Sequence, residues 1–180
     1  MMVKNVQRLV DGDAEVVIDT RYLPIVISTW FGTPALGLAN MYGEWIHGFF
    51  AEQAKLGTRV ILVNDATLSG RPGGEVRTRF AGFPTPEFVL DLLIVVTNPA
   101  VRGAATAVRW IAGERMKMNF ASDLPSALIR ALGLLARSGI EIPRALRADR
   151  YELPVMPRRR RASRSEARSD ITRPESIDVK

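Results

Sequence analysis

The sequence has no cysteine and a single histidine, His47. Without cysteine the chain can form neither disulfides nor thiolate metal sites, and it offers no thiol nucleophile. With one histidine, a metal site built from several imidazoles is excluded. These residue types also offer no set of nucleophile, base and orienting group for catalysis. We therefore expect no metal, no cofactor and no enzymatic activity.

Long apolar runs are also missing. Spanning a bilayer takes about 20 consecutive apolar residues, whereas the longest runs here, such as LPIVI and LLIVV, have the length of strands. The first residues, MMVKNVQRLVDGD, lack the uninterrupted apolar region of a signal peptide. The sequence therefore predicts a soluble, cytoplasmic protein.

The net charge of +6 is unevenly distributed along the chain. Residues 144–180 hold 11 Lys/Arg and 6 Asp/Glu, whereas residues 1–143 hold 14 and 13. The most concentrated positive charge lies in five arginines: Arg158, Arg159, Arg160, Arg161 and Arg164. Because this segment has few apolar side chains to offset the entropy of ordering it, we predict a folded domain over 1–143 and a disordered, Arg-rich tail over 144–180.

The basic tail supports one functional hypothesis, the binding of an anionic partner. A membrane would contribute about 1 kcal/mol per basic residue near its surface, and nucleic acid would bind with an affinity that falls as salt rises. No aromatic residue is interleaved with the arginines, which argues against stacking on bases. The alternative is a tail that only keeps the protein in solution.

Ahead of the tail, segments with the apolar patterns of strands and helices alternate. Two short strands flank the turn Asp11-Gly12-Asp13 and predict either a hairpin or two short edge strands. The predicted strands cover residues 6–10, 15–19, 23–30, 59–64, 92–97 and 116–121. The predicted helices cover residues 34–56, 74–83 and 99–112, with a last one from Ser122 or Asp123 to Gly139. This order predicts an α/β fold with a mixed sheet of four to six strands and about four helices.

Some details of these helices can be predicted as well. Thr33 suits the N-cap of the first long helix, and Pro34 suits its first turn, where the missing N–H costs nothing. In the helix over 99–112, an apolar stripe is expected from Val101, Ala105, Val108 and Ile111. The three tryptophans, Trp30, Trp45 and Trp110, are expected in the core or lining a groove.

The stretch RVILVNDATLSGRPGGEVR, residues 59–77, runs from a strand through a loop rich in glycine and hydroxyl groups into a helix. A P-loop requires G-x-x-x-x-G-K-[ST], but neither lysine nor a hydroxyl residue directly follows these glycines, and the spacing G-x-G-x-x-G is absent. The pattern therefore argues against nucleotide binding and favours a turn between strand and helix. Asp65, at the predicted end of the strand, is expected to cap or shape that turn.

Three segments resemble the STAS family, which is named for sulfate transporters and anti-sigma-factor antagonists. They are IVISTWFGTP, a strand running into a helix start; VILVNDA, a central strand ending in Asp65; and IVVTNPAVRGAATAVRWI, a strand running into a helix. More specifically, residues 22–145 resemble bacterial single-domain STAS-like proteins of mostly unknown function. The resemblance implies a STAS-like fold and a regulatory role through binding of a protein partner.

In the anti-sigma-factor antagonists, a partner kinase phosphorylates a serine or threonine at the start of the helix after the central strand. The phosphate adds about −1.5 to −2 charges and so disrupts docking. Here Gly73 and Gly74 stand at that position. Thr67 and Ser69 are the remaining phosphoacceptor candidates in this loop, and Ser69 is the closer of the two to the helix. Together with Asp65, Gly73 and Gly74 they form a candidate docking surface for the protein partner.

Arg102 and Arg109 share a face of the helix over 99–112 and are candidates for contact with a partner or an anion. The alternative is a solvated helix face opposite the apolar stripe. The leading hypothesis is a non-enzymatic regulatory domain that binds a protein. The alternatives are binding of nucleic acid or anionic membrane through the tail, and carriage of an apolar ligand such as a lipid, if two of the tryptophans line a pocket.

Overall fold

The six strands of the sheet lie side by side in the same order as in the chain. The structure, a computed structural model, describes residues 5–154 apart from the side chain of Arg115. The strands are β1 (Val6–Asp11), β2 (Ala14–Asp19), β3 (Ile25–Gly32), β4 (Val60–Ser69), β5 (Val89–Val95) and β6 (Met118–Ala121). The pairs β1–β2 and β2–β3 are antiparallel, and β3 to β6 run parallel. Of the two arrangements predicted for β1 and β2 the hairpin is the one that forms, and the mixed sheet of an α/β fold is confirmed.

Helices cover both faces of this sheet. They are α1 (Leu36–Leu56), α2 (Gly74–Ala81), α3 (Pro99–Ala112) and α4 (Leu124–Arg137), with a single 3₁₀ turn at Gly113–Arg115. Each of α1, α2 and α3 connects two neighbouring parallel strands, and right-handed crossovers place all three on one face. There they pack on alternate strand residues such as Leu62 and Ile94, while α4 packs on the opposite residues, such as Val63 and Leu93.

The start of α1 differs from the prediction. The helix begins at Leu36, and its N-cap residue, Ala35, provides no side-chain hydrogen bond. Instead Asp11, at the end of β1, accepts a hydrogen bond from the backbone N–H of Leu38 at 3.0 Å. The prediction with Thr33 and Pro34 was wrong because a carboxylate distant in sequence satisfies the helix start. The predicted cap at the start of α3 and the Asp123 alternative at the start of α4 are confirmed.

Strand β4 is longer than predicted. It was expected to end near Asp65, but it continues to Ser69. The extension pairs with the end of β3, where Phe31 lies opposite Leu68 and Gly32 opposite Ser69 after a register shift. The polar residues of the predicted loop are therefore largely strand residues.

The buried stripe of α3 consists of Val101, Ala104, Val108 and Ala112. Ile111, predicted in that stripe, is 52% exposed, and Trp110, predicted in the core or a groove, is 79% exposed. The prediction for Ile111 was wrong because Ala104 and Ala112 complete the stripe begun by Val101 and Val108. Trp110 is not a core residue, although it borders an open groove.

The packed part of the chain extends beyond the predicted boundary at residue 143. Leu146 is 5% exposed and belongs to the core on the α4 face. The Tyr151 hydroxyl donates a hydrogen bond to Oδ2 of the fully buried Asp19 at 3.3 Å. Burial and the charge of Asp19 raise the pKa of Tyr151, so it remains a donor at neutral pH. The domain therefore reaches at least Tyr151.

The five arginines of the predicted tail, Arg158 to Arg161 and Arg164, lie outside the described residues, so the hypotheses about this tail stay predictions. Within residues 5–154, no helix combines the length and apolarity needed to cross a bilayer.

Candidate functional site

A cavity of about 150 Å³ lies between the sheet and the three helices α1, α2 and α3. Alternate residues of β3 to β6 form its floor, α1 and α3 form its walls, and α2 with the loop after it forms its roof. The short helix α2 packs against both α1 and α3. Its Phe80 forms part of the cavity lining.

The lining of the cavity is almost entirely apolar. The residues include Ile46 and Phe50 from α1, Phe80 and Phe83 from α2 and its loop, Val101, Ala105 and Val108 from α3, and Leu62, Leu92, Ile94 and Met118 from the strands. No charged residue and no histidine of the described chain lines it. A concave apolar site with few polar groups is typical of a pocket for a small uncharged molecule.

A chain of hydrogen bonds crosses the polar end of this cavity. Oδ1 of Asn64 accepts from Nε1 of Trp30 at 3.2 Å and from the hydroxyl of Tyr42 at 3.4 Å. Oγ of Ser28 lies 3.4 Å from the same tyrosine oxygen. Burial raises the pKa of Tyr42 to about 12, so its hydroxyl keeps its proton at neutral pH and remains a donor.

Aromatic rings hold the polar end and the roof in place. Trp30 meets Tyr42 edge to face at 4.8 Å between ring centroids, and it meets Phe80 of α2 in the same way at 5.5 Å. Phe80 in turn contacts Phe83 at 5.6 Å. Each edge-to-face pair contributes roughly 0.5–1.5 kcal/mol beyond its buried area. These side-chain contacts link the sheet to the roof.

The roof is also attached to α1. Nε of Arg79 donates to Oδ1 of Asn40 at 2.8 Å, and its guanidinium lies over the ring of Phe83 at 5.0 Å. The absence of a side chain at Gly43 makes this approach possible, since a Cβ there would lie 2.8 Å from Cε1 of Phe83. The glycine in α1 therefore serves a close contact with the roof.

The structure places the predicted loop residues at one side of the cavity. Asp65 is buried, and its Oδ1 accepts from the N–H of Thr67 at 3.0 Å and from the Thr67 hydroxyl at 2.7 Å. Ser69 borders the cavity and donates to the carbonyl of Gly70 at 3.0 Å. Asp65 therefore does not shape the turn into α2 as predicted, because it lies within β4, where its contacts with Thr67 fall at the register shift between β3 and β4. Whether Thr67 or Ser69 is modified stays a prediction.

The last two glycines of the predicted loop lie at the start of the roof. Gly73 is the N-cap residue of α2 and supplies no side-chain cap, and Gly74 is the first residue of the helix. The neighbouring Pro72 lines the cavity. The predicted loop therefore connects the floor strand β4 to the roof helix α2.

The predicted arginines lie elsewhere, on the exposed side of α3. The guanidinium of Arg102 stacks over the ring of Phe120 at 5.2 Å. Arg109 borders an open groove along β6, together with Trp110. In this groove Asp91 is buried, accepts from Asn119 at 2.8 Å and pairs with Arg130 at 3.0 Å. The buried carboxylate of Asp91 thus has both a hydrogen-bond donor and a counter-charge.

The residues at the polar end of the cavity were missed by the sequence reasoning. Asn64 and Tyr42 were not singled out, and of the three tryptophans only Trp30 lines the cavity. One signal was present, since Asn64 interrupts an apolar strand two residues after the buried Leu62 and so faces the same side. A carboxamide at an inward position needs polar partners. The identity of those partners depends on the fold.

Comparison with known proteins gives a limited result. No protein-family model and no curated protein matches the chain. Among solved structures, the chain is similar to an uncharacterized protein from the DUF3478 family with a SpoIIAA-like fold, from Shewanella loihica PV-4. The two share 11% sequence identity and a TM-score of 0.44, and the match covers 71% of this chain and 92% of that chain. No functional assignment follows from this likeness.

Proposed function

We propose that this STAS-like domain is a non-enzymatic binder of a small apolar molecule, held in the cavity beneath α2. This proposal rests on the cavity, which has a volume of about 150 Å³ and is lined almost entirely by apolar side chains. An enclosed apolar cavity of roughly this volume binds a molecule the size of benzene. A ligand here would supply van der Waals contacts that the side chains of the floor and the roof otherwise lack.

The test is ligand binding by the full chain and by one filled variant. Ala105 lines the cavity on α3, and phenylalanine in its place would put a ring where the ligand sits. We expect Ala105→Phe to weaken binding of small aromatic compounds at least about tenfold, measured by calorimetry and by ligand-induced stabilisation.

The matched control is Ala100→Phe, at an exposed position of the same helix, which should bind as the original chain does. Equal affinities of Ala105→Phe and Ala100→Phe would contradict the assignment of the cavity. Native mass spectrometry of protein from its own host would identify a ligand that co-purifies.

A second function, regulatory binding of a protein partner, is favoured by the exposed surface of α3. We propose that Trp110 and Ile111 form the centre of this contact and Arg109 its rim. Both apolar side chains are more than half exposed, and strand β6 beside them has no further neighbour within the described residues. Tryptophan is among the residues enriched at the energetic centre of interfaces.

This second proposal predicts that Trp110→Asp reduces capture of a partner from host extract at least about tenfold. Ile129→Asp is the control, because Ile129 is also exposed but lies on α4, on the other face of the sheet. Partner capture that is unchanged by Trp110→Asp would rule out this surface.

A further inference from the structure

The polar end of the cavity restricts the chemistry of the ligand, and this inference rests on the proposed ligand-binding function. Trp30 Nε1 can only donate a hydrogen bond, and it points to Oδ1 of Asn64. The Tyr42 hydroxyl, held protonated by burial, donates to the same oxygen. Two donors on one oxygen fix the orientation of the carboxamide, which turns its nitrogen away from them.

The nitrogen Nδ2 of Asn64 is therefore the polar atom left for a ligand. This nitrogen makes no hydrogen bond with the described residues. It is also not one of the polar atoms that are fully buried and lack a hydrogen-bond partner. Asn64 itself lines the cavity. An amide N–H₂ group calls for an acceptor such as a carbonyl oxygen.

The absence of charged side chains around the cavity narrows the chemical class of the ligand further. No lysine, arginine or histidine of the described residues lines it, and an unpaired carboxylate would lose its hydration there without gaining a counter-charge. We propose that the cavity selects uncharged small molecules with one oxygen acceptor, such as a ketone, aldehyde or ester, and that the Nδ2–H₂ group of Asn64 recognises that oxygen.

The test uses three compounds of matched shape and the full chain. Acetophenone carries a carbonyl, α-methylstyrene has a methylene group in place of that oxygen, and benzoate carries a negative charge. The affinity ratio of acetophenone to α-methylstyrene is measured by calorimetry for the original chain and for Asn64→Asp. Taking the ratio in both proteins cancels the different costs of removing the two compounds from water.

We expect the ratio to fall at least about fivefold in Asn64→Asp, because this variant keeps an acceptor for Trp30 and Tyr42 but removes both N–H donors from the ketone oxygen. The side-chain amide resonance of Asn64 should shift with acetophenone and much less with α-methylstyrene. Benzoate should bind at least about tenfold more weakly than acetophenone.

The possible failures separate the two proposals. If both neutral compounds bind and Asn64→Asp leaves their ratio unchanged, the role of Asn64 is overturned while ligand binding in the cavity stands. If benzoate binds as well as acetophenone, the selection of uncharged ligands is overturned. If neither neutral compound binds the original chain up to its solubility limit, both proposals fall.

Discussion

Replacement of Gly32 by alanine is expected to lower the free energy of unfolding by about 2–4 kcal/mol. Gly32 ends β3 with φ of 68°, a left-handed conformation that costs other L-residues about 1–2 kcal/mol. A Cβ there would also lie 2.7 Å from the backbone oxygen of Asp13 and 3.1 Å from Cα of Ala14. Since both obstacles are backbone atoms of the neighbouring strand and its turn, no side-chain rotation relieves the clash.

Gly12→Ala separates the two contributions. Gly12 has φ of 61°, but nothing lies within 4 Å of a Cβ at this position. The variant should therefore lose only the conformational part, about 1–2 kcal/mol. Urea unfolding, with unchanged dependence on denaturant, measures both variants. Equal losses in the two would show that β2 and its turn yield to the added methyl group.

Gly32 also matters for the cavity, because its carbonyl accepts a hydrogen bond from the N–H of Gly70 at 2.8 Å. Gly70 follows directly after Ser69, which borders the cavity. A shift of the β3 terminus in Gly32→Ala would therefore be transmitted to the loop that leads into α2. The tight packing that fixes this corner of the fold thus also fixes one side of the candidate site.

The order of elements could be predicted from sequence because the strongest signals are local. Apolar runs of strand length such as LLIVVT, and the cap at Asn98 followed by Pro99, depend on neighbours within a few residues. Both helix starts that use a local cap, at Asn98 and Asp123, were predicted. The start of α1 was not, since its carboxylate comes from Asp11 at the end of β1.

The candidate site shows the same limit more strongly. Asn64, Tyr42 and Trp30 are far apart in the sequence and meet only because β3, β4 and α1 pack together. The cavity depends on the position of α2 relative to α1 and α3. No periodicity in the sequence predicts that position. Similarly, the end of β4 depended on the length of its partner, because Ser69 pairs with Gly32.

Replacement of Gly43 by valine is expected to displace the roof of the cavity. A Cβ at Gly43 would lie 2.8 Å from Cε1 of Phe83 and 2.9 Å from a guanidinium nitrogen of Arg79. Both atoms belong to the ends of side chains, so the roof side chains move while the backbone of α1 stays. Overpacking of this kind costs about 1–3 kcal/mol. Loss of roof contacts worth about 2 kcal/mol would weaken a bound ligand roughly thirtyfold.

The matched control is Gly48→Val, because Gly48 lies on the same helix and a Cβ there meets nothing within 4 Å. The two variants share the change in helix propensity, so their difference isolates the contact with Phe83 and Arg79. Urea unfolding gives the stability of each, and calorimetry with acetophenone gives the affinity. A Gly43→Val variant as stable as Gly48→Val, with the same affinity, would mean that α2 and its loop adjust without cost. Lower stability together with weaker binding would establish that the contact between α1 and the roof closes the cavity.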